Sequence, residues 1–187
     1  RNKLNISDEG ESSKKVVFLH GTTWSTKHWP KYFWRQLALH ATKSGFEVLL
    51  PWGDFIEKKR AEYISNGNDM VKVLERQSLS GVAQHINNSK GVIAVDTGLG
   101  HLAAALEKPT VSLYGPTDPG LSGTFGLNQV HLVSNLDCAP CVKKICSYSG
   151  PEIRDTFDED EFLVSPPCFS AHKPEYVWNR FCGLLKN

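Results

Sequence analysis

Apolar and polar positions run in blocks along most of this chain, and the blocks switch between two periods. Val16-Val17-Phe18-Leu19 is an unbroken apolar run within Lys15–His20, ending at Gly21. That is the pattern of a strand buried on both faces. Over Pro30–Ser44, Phe33, Trp34, Leu37 and Ala41 recur at three- and four-residue spacing, which predicts an amphipathic helix opened by Pro30 and stopped at Gly45. The alternation then repeats. Phe46–Leu50 predicts a second strand, closed by Pro51-Trp52-Gly53. Phe55–Ser65 predicts a second helix, capped by Asp54 and followed by Gly67. Met70–Leu74, Val92–Val95 and Thr110–Tyr114 predict three more strands, separated by helices over Ser78–Asn88 and Leu99–Glu107.

Strands that alternate with helices through short loops imply a parallel sheet with right-handed crossovers. The expected fold class is α/β, a doubly wound, Rossmann-like domain with strand order 3-2-1-4-5, extended by a sixth strand at Val130–Val133. Beyond Ser134 neither period persists. Cys138, Cys141, Cys146 and the acidic run Asp155–Glu161 lie there, and Tyr176–Leu185 predicts a closing helix. The expected division is a linker or cut point over 1–15, a Rossmann-like unit over 16–134, and a cysteine-bearing excursion with a closing helix of the same domain over 135–187. Arg1–Lys15 is almost wholly polar and does not start at Met, so the chain reads as a domain of a longer protein.

Composition narrows the classes. Of 187 residues, 40% are hydrophobic and 22% charged, and 21 Lys and Arg against 20 Asp and Glu leave a net charge of +1. The hydrophobic content excludes a disordered chain, and the charge balance argues against a nucleic-acid partner. No apolar run approaches the ~18–20 residues of a transmembrane helix, and none has the pattern of a signal peptide. An odd count of 5 cysteines points to a reducing compartment.

In a doubly wound sheet, ligands bind beyond the carboxyl ends of the strands where the strand order reverses. The loops after the first and fourth strands meet that requirement. His20-Gly21-Thr22-Thr23-Trp24-Ser25-Thr26-Lys27 combines a tight-turn glycine, hydroxyls and a lysine ahead of a helix, an anion site suited to phosphate. It is not a P-loop. Asp96-Thr97-Gly98-Leu99-Gly100-His101 offers free amides at Thr97, Gly98 and Leu99, with Asp96 projecting to bind hydroxyls. Gly98-x-Gly100-x-x-Ala103 also matches the letters of a dinucleotide fingerprint, with Asp118 lying 20 residues past Gly98. An NAD-linked oxidoreductase is therefore an alternative, although that fingerprint belongs after the first strand.

Asp96-Thr97-Gly98-Leu99-x-His101-Leu102-x-Ala104-Ala105-Leu106, followed by Tyr114-Gly115-Pro116-Thr117-Asp118-Pro119, resembles the signature of the bacterial heptosyltransferases, glycosyltransferase family 9. Thr22-Thr23…Lys27-His28-Trp29-Pro30 and Leu50-Pro51-Trp52-Gly53 resemble the type I branch, and the cysteine-bearing region resembles type II. The resemblance covers roughly Val16 to Val133. It implies the C-terminal, donor-binding half of a GT-B enzyme that transfers L-glycero-D-manno-heptose from ADP-heptose to Kdo of the lipopolysaccharide inner core, with inversion and without a required metal. The acceptor, Kdo-lipid A, and the general base would belong to an N-terminal half with no counterpart in these residues, so this chain alone is expected to bind donor without catalysing transfer. The implied location is cytoplasmic, peripheral at the inner face of the inner membrane. The implied donor site is Thr22, Thr23 and Lys27 on the diphosphate, with Lys27 stabilising the leaving group; Glu57 on the ribose; Gln77 by the adenine; Asp96 on the heptose; Thr97, Gly98 and Leu99 giving amides to phosphate; and His101 completing the pocket.

The cysteines stand apart from nucleotide binding. Cys138-Ala139-Pro140-Cys141, Cys146 and Cys168 have a spacing that permits a four-thiolate zinc site, with His172 as a spare ligand. A zinc-dependent interaction module is the third reading. A second CxxC is missing, and free thiols in an irregular loop would account for the same residues.

Overall fold

The computed structural model describes residues 14–186, and the proposed linker therefore lies outside it except for its last two residues. Those two already belong to the first strand. Six parallel strands form one sheet: β1 (Lys14–Leu19), β2 (Phe46–Leu50), β3 (Val71–Val73), β4 (Gly91–Val95), β5 (Thr110–Tyr114) and β6 (Gln129–Val133), in the order β3-β2-β1-β4-β5-β6. The expected order, sixth strand included, is the one observed. The switch point lies between β1 and β4, where Val17 pairs with Val92 and Leu19 with Ala94.

The crossovers run through α1 (Lys31–Lys43), α2 (Phe55–Ser65), α3 (Leu79–Asn87) and α4 (Gly98–Ala105); α5 (Pro119–Ser122) and α6 (Pro174–Leu184) follow. Side chains of a strand alternate between faces, and both faces of this sheet are covered. Val16 and Phe18 of β1, Val48 and Leu50 of β2, and Ile93 and Val95 of β4 pack with Phe33, Trp34 and Leu37 of α1, Ala61 and Ile64 of α2, and Val177, Trp178 and Phe181 of α6. Val17, Leu19, Leu49, Val92 and Ala94 face the opposite way, onto Val82 and Ile86 of α3 and Ala103 of α4.

Local chemistry sets the helix ends. The Asp54 side chain accepts from the Glu57 amide at the start of α2. At the far end Asn66 takes the left-handed conformation (φ 44°) one residue before Gly67 (φ 73°), so the cap begins one position earlier than expected. Ser78 caps α3 through the Gly81 amide. Pro30 stands just outside α1, at its N-cap.

The region after β6 holds an element the periodicity does not announce. β7 (Arg154–Phe157) and β8 (Asp160–Leu163) form an antiparallel hairpin from the acidic run. Its two turn residues, Asp158 and Glu159, both have positive φ (51° and 71°), as a type I′ turn requires. Phe162 of β8 stacks on Tyr32 at 4.4 Å and meets Phe33 edge-on at 5.5 Å, which fastens the hairpin to α1.

Candidate functional site

Six strands wound in this order leave a crevice beyond the carboxyl ends of β1, β2 and β4. A cleft of about 910 Å³ occupies it, within the ~300–1,000 Å³ of small-molecule and cofactor sites. Every residue proposed for the donor site lines it: Thr22, Thr23, Lys27, Glu57, Gln77, Asp96, Thr97, Gly98, Leu99 and His101.

The two candidate loops touch. Lys27 Nζ lies 2.8 Å from Asp96 Oδ2, and Thr22 Oγ1 donates to the Asp96 carbonyl at 3.2 Å. Lys27 ends a single 3-10 turn, Ser25–Lys27, and its ammonium also rests on the Trp24 ring, 4.4 Å from the centroid. Asp96 is less free than the sequence suggests. It is 7% exposed, and the oxygen that meets Lys27 also accepts from Thr117 Oγ1 at 2.7 Å. In this arrangement Asp96 anchors Lys27, and only its second oxygen is left for a guest.

Gly21 has a different use from the tight turn expected of it. Its φ is not in the left-handed range; instead the Glu57 carboxylate lies against its Cα, and a Cβ there would collide with Glu57 Oε1. Glu57 Oε2 accepts from the Gly53 amide at 2.6 Å. The carboxylate is thus folded over the end of β1 and clamped at one oxygen. At the start of α4, Thr97 stands at the N-cap without a side-chain cap, so the first amides of the helix have no side-chain acceptor. Gln77 donates its amide to the Glu75 carbonyl at 3.0 Å. Thr23, Gly98 and His101 are exposed at the rim.

The structure adds residues that sequence reasoning missed. His20, His28 and Arg60 line the same cleft, with Arg60 Nη1 donating to the His20 carbonyl at 3.2 Å. Burial pushes His20 down to about 3, and the nearby Arg60 and His28 add to the effect. Burial, then Arg60, takes His28 down to about 4. Both rings are neutral at pH 7, so Lys27 and Arg60 supply the fixed positive charge of the cleft. Ile56, Leu79 and Val82 make an apolar wall next to Gln77, suited to the face of a planar base. Exposed apolar residues at the first turns of α2 and α3 were the available signal for it.

The alternatives fare differently. Asp118, the acid of the dinucleotide fingerprint, caps α5 through the Gly120 amide and borders a separate depression with Gly115 and Ser134. It is not in the cleft, and the NAD reading loses its ribose ligand. His172 is not a spare metal ligand: it is buried, its Nε2 bonded to the Leu132 carbonyl at 2.8 Å. Cys138, Cys141, Cys146 and Cys168 do come together, around one small pocket. Burial pushes the Cys168 thiol up to about 12, and the other three thiols add to it. Among the described residues no group of three or more His, Cys, Asp or Glu could hold a metal ion as the side chains stand.

Residues 2–151 match the sequence profile of glycosyltransferase family 9 (heptosyltransferase). The chain belongs to that family. It is 47% identical to lipopolysaccharide heptosyltransferase 1 of Pseudomonas aeruginosa over 181 residues, 96% of this chain and 50% of that protein. Against the type 1 enzyme of Escherichia coli K12 it is 48% identical over 120 residues, 64% of this chain and 38% of that protein. Similarity to type 2 family members is weaker, 33% over 131 residues for the Salmonella typhimurium protein. Among solved structures, E. coli heptosyltransferase WaaC with ADP superposes with a TM-score of 0.63 at 46% identity, over 65% of this chain and 38% of that one. E. coli heptosyltransferase II shares the fold over 94% of this chain and 47% of that one, with a TM-score of 0.66 at 22% identity. The chain thus spans about half the length, or less, of the family members it matches.

Proposed function

We propose that this chain is the donor-binding half of an inverting type I heptosyltransferase, which moves L-glycero-D-manno-heptose from ADP-heptose to Kdo of the lipopolysaccharide inner core. The observation that carries the reading is the meeting of two loops at the switch point, Lys27 on Asp96 at 2.8 Å and Thr22 on the Asp96 carbonyl, inside a cleft walled by helix N-terminal amides. Two further observations support it: the 47% identity to a type 1 enzyme, and a 46% identical neighbour whose structure contains ADP.

The chemistry follows from where charge develops. Displacement at the anomeric carbon gives an oxocarbenium-like state and loads negative charge on the departing diphosphate. Amides at the start of α4, the Thr22 and Thr23 hydroxyls and the Lys27 ammonium would meet that charge, and donors engaged more strongly in the transition state than in the ground state lower the barrier more than they tighten binding. Glu57 offers acceptor-only oxygens for a cis-diol, and the Ile56–Leu79–Val82 wall takes the base. Lys27 would exchange Asp96 for the diphosphate and release the carboxylate toward the sugar hydroxyls. The acceptor and the general base would come from the other half of a GT-B enzyme, working at the cytoplasmic face of the membrane that holds the lipid acceptor. Among the described residues no helix is long and apolar enough to cross a membrane.

Calorimetry on the full-length protein with ADP, ADP-heptose, GDP and NAD tests the reading. Binding of ADP and ADP-heptose, with GDP and NAD much weaker, is expected. Tight GDP or NAD binding without ADP binding overturns it.

A further inference from the structure

Four of the five cysteines meet at one place although the chain separates them. Cys138 and Cys141 come from the CxxC segment, Cys146 from the loop after it, and Cys168 from a turn beyond the β7–β8 hairpin. All four line a single pocket of about 20 Å³, room for one ion or one water and nothing larger. Cys138 and Cys146 are exposed, Cys141 is half-buried and Cys168 is buried, so the pocket opens at the surface and closes on Cys168. The inner wall is shaped to hold that thiol: a Cβ on Gly115 would lie 2.7 Å from Cys168 Sγ. Cys182 stands elsewhere, on α6.

We infer that Cys138, Cys141, Cys146 and Cys168 bind one divalent thiophilic metal ion, zinc or iron, and that the ion fastens the Cys138–Cys146 loop to the turn that carries Cys168 and, through that loop, steadies the turn that carries Lys27. Four thiolates in tetrahedral array suit these ions and leave no open position for substrate, so the site is structural. Binding needs no oxidant. Four S–H protons go to solvent, four Sγ–metal bonds form, and the ion loses its waters. As the side chains stand, no three of the described His, Cys, Asp or Glu residues could hold an ion together, so binding has to draw the Cys138–Cys146 loop inward around the ion.

The link to the cleft lies in the residues between Cys141 and Cys146. The Lys143 carbonyl accepts from Thr26 Oγ1 at 2.6 Å and the Lys144 carbonyl from Ser25 Oγ at 2.8 Å. The Lys144 ammonium lies 5.4 Å from the centroid of the Trp24 ring, the same ring that Lys27 touches. An ion that fixes this loop therefore fixes the Ser25–Lys27 turn. This second half of the inference rests on the proposed donor reading; the metal site does not.

The test is elemental analysis of the full-length protein, purified without chelator. About one zinc or iron per chain is expected, lost in Cys138→Ser and in Cys146→Ser and kept in Cys182→Ser. Exchange of the unmutated protein into cobalt(II) should give thiolate-to-cobalt charge transfer and the strong visible bands of a tetrahedral site, a readout that stands even if the serine variants fail to fold. A metal content far below one ion per chain, four thiols that react equally fast with and without chelator, or a Cys138–Cys141 disulfide each overturns the site. Removing the ion should weaken ADP binding severalfold. Unchanged ADP affinity in a protein that loses its metal overturns the fastening, and a protein that holds metal but never binds ADP overturns the donor reading and leaves the metal site standing.

Discussion

Lys27 has two partners in the cleft, the Asp96 carboxylate at 2.8 Å and the Trp24 ring at 4.4 Å, and each defines a consequence of removing it. In the full-length protein, Lys27→Ala should lower kcat by about 10²-fold, the size of one lost transition-state donor, while the Kd for ADP rises only severalfold. Steady-state rates and calorimetry read the two separately, and an unchanged kcat removes Lys27 from the leaving-group role. The pair is partly buried, 17% exposed at Lys27 and 8% at Asp96, so the same change should cost about 1–3 kcal/mol in thermal unfolding, between an exposed pair and a fully buried one. Gly21→Ala tests Glu57. The new Cβ meets the end of a flexible side chain, so the fold should survive, but the carboxylate must leave the Gly53 amide. ADP affinity should fall about tenfold, the value of one hydrogen bond to a charged group; equal affinity would take Glu57 off the ribose. At this scale the sequence was informative about position: the candidate residues at the strand ends all line the cleft. It was silent at Arg60: that residue follows Glu57 by three positions, shares its helix face, and so turns into the cleft with it.

Elements were readable in proportion to how much of their pattern is local. β1, β2 and β4 carry runs of apolar residues because both faces of the sheet are covered there, and the helices between the strands carry a stripe because one face is. The β7–β8 hairpin lacks both signals. Arg154–Phe157 and Asp160–Leu163 bury mainly Phe162, and the turn is Asp158-Glu159 where a type I′ turn favours Asp-Gly or Asn-Gly. Glu159 therefore bears a left-handed conformation (φ 71°) that costs a side-chain-bearing residue about 1–2 kcal/mol. Glu159→Gly should stabilise the protein by about 0.5–1 kcal/mol after the added freedom of the unfolded chain is subtracted. Chemical denaturation measures it, and a destabilised variant would mean that the turn is not type I′.

The whole molecule responds to pH through histidines it has buried. His20 and His28 are held neutral, down to about 3 and about 4, chiefly by burial; burial lowers His131 and His172 in the same direction. Unfolding returns each ring to an ordinary value near 6.5, so below that pH the unfolded chain binds more protons and stability falls as pH falls. Near pH 5, about two protons should be taken up on unfolding from His20 and His28 alone. The denaturation midpoint should hold above pH 7 and drop steadily from pH 6.5 towards pH 4. A midpoint flat across that window would mean that these rings are not buried neutral. Fold class, strand order and the two loops that line the cleft could all be read from the residues in order, since they rest on periodicity, on turn chemistry and on the geometry of a doubly wound sheet at its switch point. The ion pair that ties Lys27 to Asp96, the inward turn of Arg60 and the neutral histidines could not. Each depends on the distance between side chains that lie far apart along the chain or face one another across the cleft, and packing alone sets those distances.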